Sequence, residues 1–147
     1  LQPFFLAAGY KADETILQQI APIIQERIVT LDEAPQMAGF FFEETIHPDP
    51  EELVAKKMTS AESAETARQA YQVLKNLEKL DHTHAEGPLR ELADSLGIKA
   101  GQLFGILRVA VTGKSVSPPL LESMEIIGRE KVLSRIQVAI NILEAMS

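Results

Sequence analysis

The chain of 147 residues has no cysteine and no tryptophan, and only 5% of it is aromatic. Without thiols there can be no disulfide staples and no thiolate metal sites, which fits a reducing, cytoplasmic setting. No apolar run approaches the roughly 18 residues of a membrane-crossing helix, so no membrane partner is expected. The start, LQPFFLAAGY, carries no charged leader ahead of an apolar segment. It opens without Met inside an apolar stretch and is read as a cut through a larger protein.

Chemistry-bearing groups are equally sparse. Serines are scattered, and no nucleophile–base–orienter set can be assembled, so no catalytic residue is expected. The pairs Glu43-Glu44 and Glu51-Glu52 read as solvated acidic surface. His82 and His84 stand two apart, which on a helix points them to different sides and prevents a shared grip on one ion. That segment reads as a polar interhelix loop, and no metal site is expected. Gly113-Lys114-Ser115 imitates the end of a phosphate-binding loop, but Arg108 occupies the place of the required first glycine, after a helical rather than a strand pattern.

What is present is helical periodicity. Apolar residues are 46% of the chain, ample for a packed core. Ile16, Ile20, Ile23 and Leu31 form a stripe, with Asp13 as its N-cap and Pro22 as a kink. Thr30 and Glu33 form a capping-box pattern ahead of Phe40, Phe41 and Phe42. His47-Pro48-Asp49-Pro50 breaks the chain and sets the expected domain boundary, 1–48 against 49–147. Asp49 then caps a short helix ending near Met58. The longest helix is expected from Ser60 to Leu80, followed by one over 85–96 that Gly97 stops. A helix through Arg108 comes next, then a short one capped by Ser117 with Pro118 in its first turn. The last, 129–145, buries Val132, Ile136, Ala139, Ile140 and Leu143. The fold class is all-α, in two packed helical groups.

The net charge of −7 argues at first against nucleic acid. It is uneven, however: residues 1–98 hold 8 Lys/Arg against 17 Asp/Glu, and residues 99–147 hold 6 against 4. A basic tail on an acidic body can focus a local positive field. Within that tail, Leu103 to Val111 is apolar or Gly except for Arg108. A guanidinium is costly to bury unpaired. Either Arg108 bonds an internal carboxylate such as Glu125, or it sits at the rim of the core and offers its charge to a ligand. Arg27, one step beyond the isoleucine stripe, poses the same choice, with Glu26 nearby. Two planar, permanently charged forks aimed at one ligand suit base edges and base faces.

The segment RVAVTGKSVSPPLLESMEIIGREKVLSRI, residues 108–136, resembles the C-terminal anticodon-binding region of bacterial-type glutamyl-tRNA synthetases. There a Leu-Arg-x-Ala-x-Thr-Gly run leads to Ser/Thr-Pro and an apolar helix ending in Gly-(Lys/Arg)-Glu. QERIVTLDEAPQMAGFFFEE, residues 25–44, is similar to the family's Arg–Thr–Leu–x–Glu–Phe-rich segment. The resemblance implies a parent class I aminoacyl-tRNA synthetase that joins glutamate to tRNA(Glu) with ATP and Mg²⁺. Its catalytic Rossmann domain would lie upstream, leaving this fragment without a cofactor. Residues 1–48 would complete the first anticodon-binding helical subdomain and 49–147 form the second. The position of Arg27 is associated with telling the third anticodon base, cytosine, from guanine; Arg108, Ser117 and Leu120 match residues that touch anticodon bases. Pro118 supplies a stiff apolar corner suited to an unstacked base. Pro119 departs from the family, which commonly has Gly there. The implied partners are the anticodon loop and the upstream catalytic domain, in a monomer. A different class, a helical protein-interaction module, would instead show a large exposed apolar patch and internally paired arginines.

Overall fold

A computed structural model of the chain describes residues 46–114 and 119–146, with Ile16, Gln18 and Gln19 as isolated helical positions. The remaining Ile16–Leu31 stripe and Phe40–Phe42 lie outside the described residues. Every regular element described is an α-helix: α1 Pro50–Leu53, α2 Ser60–Asn76, α3 His82–Leu96, α4 Ala100–Thr112, α5 Leu120–Ile127 and α6 Arg129–Met146.

Local chemistry sets the helix ends. Asp49 caps α1 by accepting from the Glu51 amide at 2.9 Å, with Pro50 in the first turn. α1 stops at Leu53, short of the expected Met58. Ser63 Oγ of α2 accepts from the Ala55 amide at 3.2 Å, and Lys57 turns left-handed at φ 63°. A side chain eight residues on thus takes a donor that a longer helix would have used. Thr59 and Glu62 close a reciprocal capping box, 3.1 and 3.0 Å, which starts α2 where expected. α2 ends at Asn76 rather than Leu80; the guanidinium of Arg129 donates to the Leu77 carbonyl at its C-terminal cap. Among the described residues α6, not α2, is the longest helix.

α3 corrects the interhelix loop expected over 82–84. Asp81 accepts from the His84 amide at 2.8 Å, so His82, Thr83 and His84 form the first turn. Gly97, at φ 71°, ends α3 as expected, and the Ile98 amide reaches back to the Ala93 carbonyl at 3.0 Å.

α2 packs along α6 more extensively than any other described pair. Ala64, Ala67 and Ala70 face inward on α2, and their small side chains let the two axes approach closely. α6 buries Val132, Ile136, Ala139, Ile140 and Leu143, the stripe expected from periodicity. Leu53, Leu74, Leu89, Leu103, Leu107 and Met124 fill the space between α1, α2, α3, α4 and α5. α4 therefore has one face in the core and one at the surface.

Candidate nucleic-acid interface

The surface face of α4 carries the charge. Leu103, Ile106, Leu107, Val109, Ala110 and Val111 are buried, while Phe104, Gly105 and Arg108 are half-buried. Arg108 is therefore half-buried at the rim of the core, one of the two placements its lone charge allowed. Glu125, the carboxylate considered for it, lies exposed on α5.

The C-terminal end of α4 is closely determined. The Gly113 amide donates to the Val109 carbonyl at 2.8 Å, and φ of 76° turns the chain left-handed. This glycine caps a helix and its amide is already used, which removes any phosphate-loop role. Thr112 Oγ1 donates to the Arg108 carbonyl at 2.6 Å and accepts from the Lys114 amide at 3.2 Å. Beneath, Arg135 of α6 is only 4% exposed, and its Nη1 donates to the Val111 carbonyl at 2.6 Å. A buried cation thus satisfies an orphan carbonyl at the negative end of the helix. Ile46 packs on the outside of the turn; a Cβ at Gly113 would stand 3.7 Å from the Ile46 Cβ. The point where the chain leaves α4 is held from both sides.

Ser117 and Pro118 lie outside the described residues, as does Arg27. The chain is described again at Pro119, and α5 begins at Leu120. This corrects the expected start, which had Ser117 as cap and Pro118 in the first turn. Pro119 occupies the cap position, and its carbonyl accepts from the Ser123 amide at 3.0 Å and the Ser123 hydroxyl at 2.7 Å. Leu120 is 4% exposed and joins the core at the first position of α5. Among the five residues singled out in the sequence, Arg108 and Leu120 are thus described, on two helices that pack against each other.

Three lysines were missed. The fold brings Lys56 and Lys57, counted with the acidic body, beside Lys99 at the start of α4, around a groove of about 730 Å³. Val54, Ala55, Gly101, Gly105 and Val109 also line it. Gln102 Nε2 clips this turn to α4 by donating to the Lys56 carbonyl at 2.7 Å. Positive charge is therefore not confined to the tail: these three lysines share the groove with one carboxylate, Glu52. Linear charge counting could not show this, because the lysines meet only through the 54–58 turn. Arg135 was missed as well, although a signal was available: it lies three residues after Val132 and four before Ala139, on the buried stripe.

Acidic groups gather elsewhere. On the α2–α6 surface Arg68 bridges Glu65 at 2.7 Å and Glu144 at 2.9 Å. Hydrogen bonds from Gln69 and then Arg68 hold the Glu65 carboxyl below its ordinary range. In the first turn of α3, the His84 amide and then its ring lower the Asp81 carboxyl likewise. His82 bonds a different carboxylate, Glu86, at 2.8 Å.

The sequence matches the family described as "Anticodon binding domain" over residues 1–140. A glutamate–tRNA ligase of Roseiflexus sp. (strain RS-1) is 41% identical over 145 residues, covering 95% of this chain and 29% of that protein. One from Roseiflexus castenholzii is 38% identical over 151 residues, covering 99% and 30%. The chain thus spans about 30% of the length of these curated relatives. Among solved structures, a glutamate tRNA ligase from Elizabethkingia meningosepticum, in complex with its amino acid, superposes with a TM-score of 0.77. That similarity, at 20% identity, covers 99% of this chain and 28% of the other, and it concerns the fold. The match over residues 1–140 decides the matter: the chain belongs to the anticodon-binding domain family.

Proposed function

We propose that this chain is the anticodon-reading part of a glutamate–tRNA ligase, binding the anticodon loop of tRNA(Glu). The observation that carries this is the surface face of α4: a rim arginine, Arg108, stands just before a rigidly held helix end in a chain of the anticodon-binding family. Single-stranded loops are read by splaying bases, stacking them and bonding their edges, which needs a few well-placed cations rather than a basic protein. Arg108 bonds a base edge, Ser117 and Pro118 supply the corner beside the RNA loop, and Leu120, the fifth residue of the set, is buried at the start of α5. Arg27 tells cytosine from guanine at the third anticodon position. Residues 1–48 belong to a first helical subdomain and 49–147 to a second. The parent is a cytoplasmic monomer whose separate catalytic domain uses ATP and Mg²⁺.

The interaction-module alternative expects a large exposed apolar patch. Among the described residues the exposed large hydrophobics are Val138 and Met146, two positions on α6. This favours RNA. The test is a titration of the tRNA(Glu) anticodon arm against the same arm with guanine as third anticodon base. The cytosine arm binds more tightly, by roughly ten- to a hundredfold for a good base contact, and binding weakens as salt rises. Equal affinities, unchanged in Arg27→Gln, would overturn the discriminator assignment.

A further inference from the structure

Arg108 is not the only cation on its side of α4. Phe104 precedes it by one helical turn, about 6 Å at 1.5 Å per residue, and the two share a face. Arg90 of α3 reaches across the α3–α4 seam and lays its guanidinium over the Phe104 ring, 5.6 Å from the centroid. Its Nε donates to Glu86 Oε1 at 3.1 Å. The other Glu86 oxygen takes His82 Nε2 at 2.8 Å, so the carboxylate is itself held. The guanidinium is thus held through Nε by Glu86 and lies over the Phe104 ring. Among the described residues no partner takes the Nη edge, and 57% of the side chain is open to water.

This geometry exceeds what a surface ion pair needs. An exposed Arg–Glu pair is satisfied by charge and gains nothing from an oriented plane. A guanidinium held over an aromatic ring, with an open donor edge, is a surface on which a flat ring can lie.

We infer that Arg90, backed by Phe104, seats an unpaired nucleobase of the RNA next to the one met by Arg108. The base stacks on the open face of the guanidinium. The inference rests on the anticodon-loop reading above. Because every base offers a π-face, the seat recognises the presence of a splayed base at one loop position rather than its identity. It therefore differs in kind from the discrimination assigned to Arg27.

The test uses the 147-residue chain and anticodon-arm hairpins, intact or carrying a single abasic nucleotide at each loop position in turn. Arg90→Lys keeps the charge and any phosphate contact but loses the planar fork. Phe104→Leu keeps apolar volume but loses the ring, with far-UV CD confirming that both variants fold. Each weakens binding to the intact arm by roughly five- to thirtyfold, the lower part of the range for base stacking. At one abasic position the difference between the unaltered chain and Arg90→Lys disappears. The seat is refuted if Arg90→Lys binds the intact arm within twofold of the unaltered chain. It is equally refuted if the difference survives at every abasic position, which marks a phosphate contact only. If Arg108→Gln weakens binding while Arg90→Lys does not, the seat alone falls. If the unaltered chain prefers no anticodon arm over a scrambled hairpin, the anticodon reading falls with it.

Discussion

Replacing Gly113 by alanine isolates one backbone torsion at the end of α4. Its φ of 76° lies in the left-handed region, where a Cβ crowds the following carbonyl at a cost of about 1–2 kcal/mol. The surroundings add little: the new Cβ would meet Ile46 Cβ at 3.7 Å and Cδ1 at 3.8 Å, ordinary contact distances. Alanine also stiffens the unfolded chain, which offsets about 0.4–1 kcal/mol. The net loss is about 1 kcal/mol, or roughly 3–4 °C in Tm for a chain of this size. Gly105, on the same helix, provides the opposite sign. A Cβ there meets nothing within 4 Å, and Gly105→Ala in a helix interior should add about 0.8–1 kcal/mol. Both variants are compared by thermal and urea unfolding followed by circular dichroism at 222 nm. Gly113→Asn should fall between glycine and alanine, since Asn tolerates the left-handed region. The left-handed cap is refuted if Gly113→Ala is as stable as the unaltered chain, or if Asn proves worse than Ala.

Arg135→Ala removes the donor to the Val111 carbonyl and opens a cavity under α4, so stability should drop by about 2–4 kcal/mol in urea unfolding. A drop below about 0.5 kcal/mol would mean that the Val111 carbonyl is satisfied otherwise. Thr59→Ala breaks the capping box of α2 and should cost about 1 kcal/mol, with Glu62→Ala costing no more in its presence than alone. The lowered carboxyl of Asp81 contributes stability above its ordinary value of 3.8, lost as pH falls through the folded-state value. Acid unfolding of Asp81→Ala should accordingly be less steep there, and an NMR titration of Asp81 should place its carboxyl below 3.8.

What could be read from the residues alone was local. The α6 stripe from Val132 to Leu143 follows the 3.6-residue period, and Gly97 stops α3, because both depend on near neighbours. The choice facing Arg108, an internal carboxylate or the rim of the core, was legible for the same reason, as one charge among eight apolar or glycine residues. The features that escaped depend on distant partners. α1 ends early because Ser63 takes the Ala55 amide. Lys56 and Lys57 join Lys99 because the 54–58 turn folds onto α4. Arg90 finds Phe104 only once α3 and α4 lie side by side. The histidine turn was misread for a different reason: Asp81 is a helix cap, and an Asp ahead of a polar run signals this weakly when no apolar residue follows at once.

The bond between Arg135 and Val111 also has a meaning in time. Synthesis proceeds from the N-terminus, so the Val111 carbonyl leaves the ribosome 24 residues before the guanidinium that holds it. α4 can coil as soon as it emerges, but its final turn has no buried cation until α6 has docked. The last turn of α4 is therefore among the last parts of the described fold to set. A nascent chain presents the end of α4 in finished form only after α6 is in place.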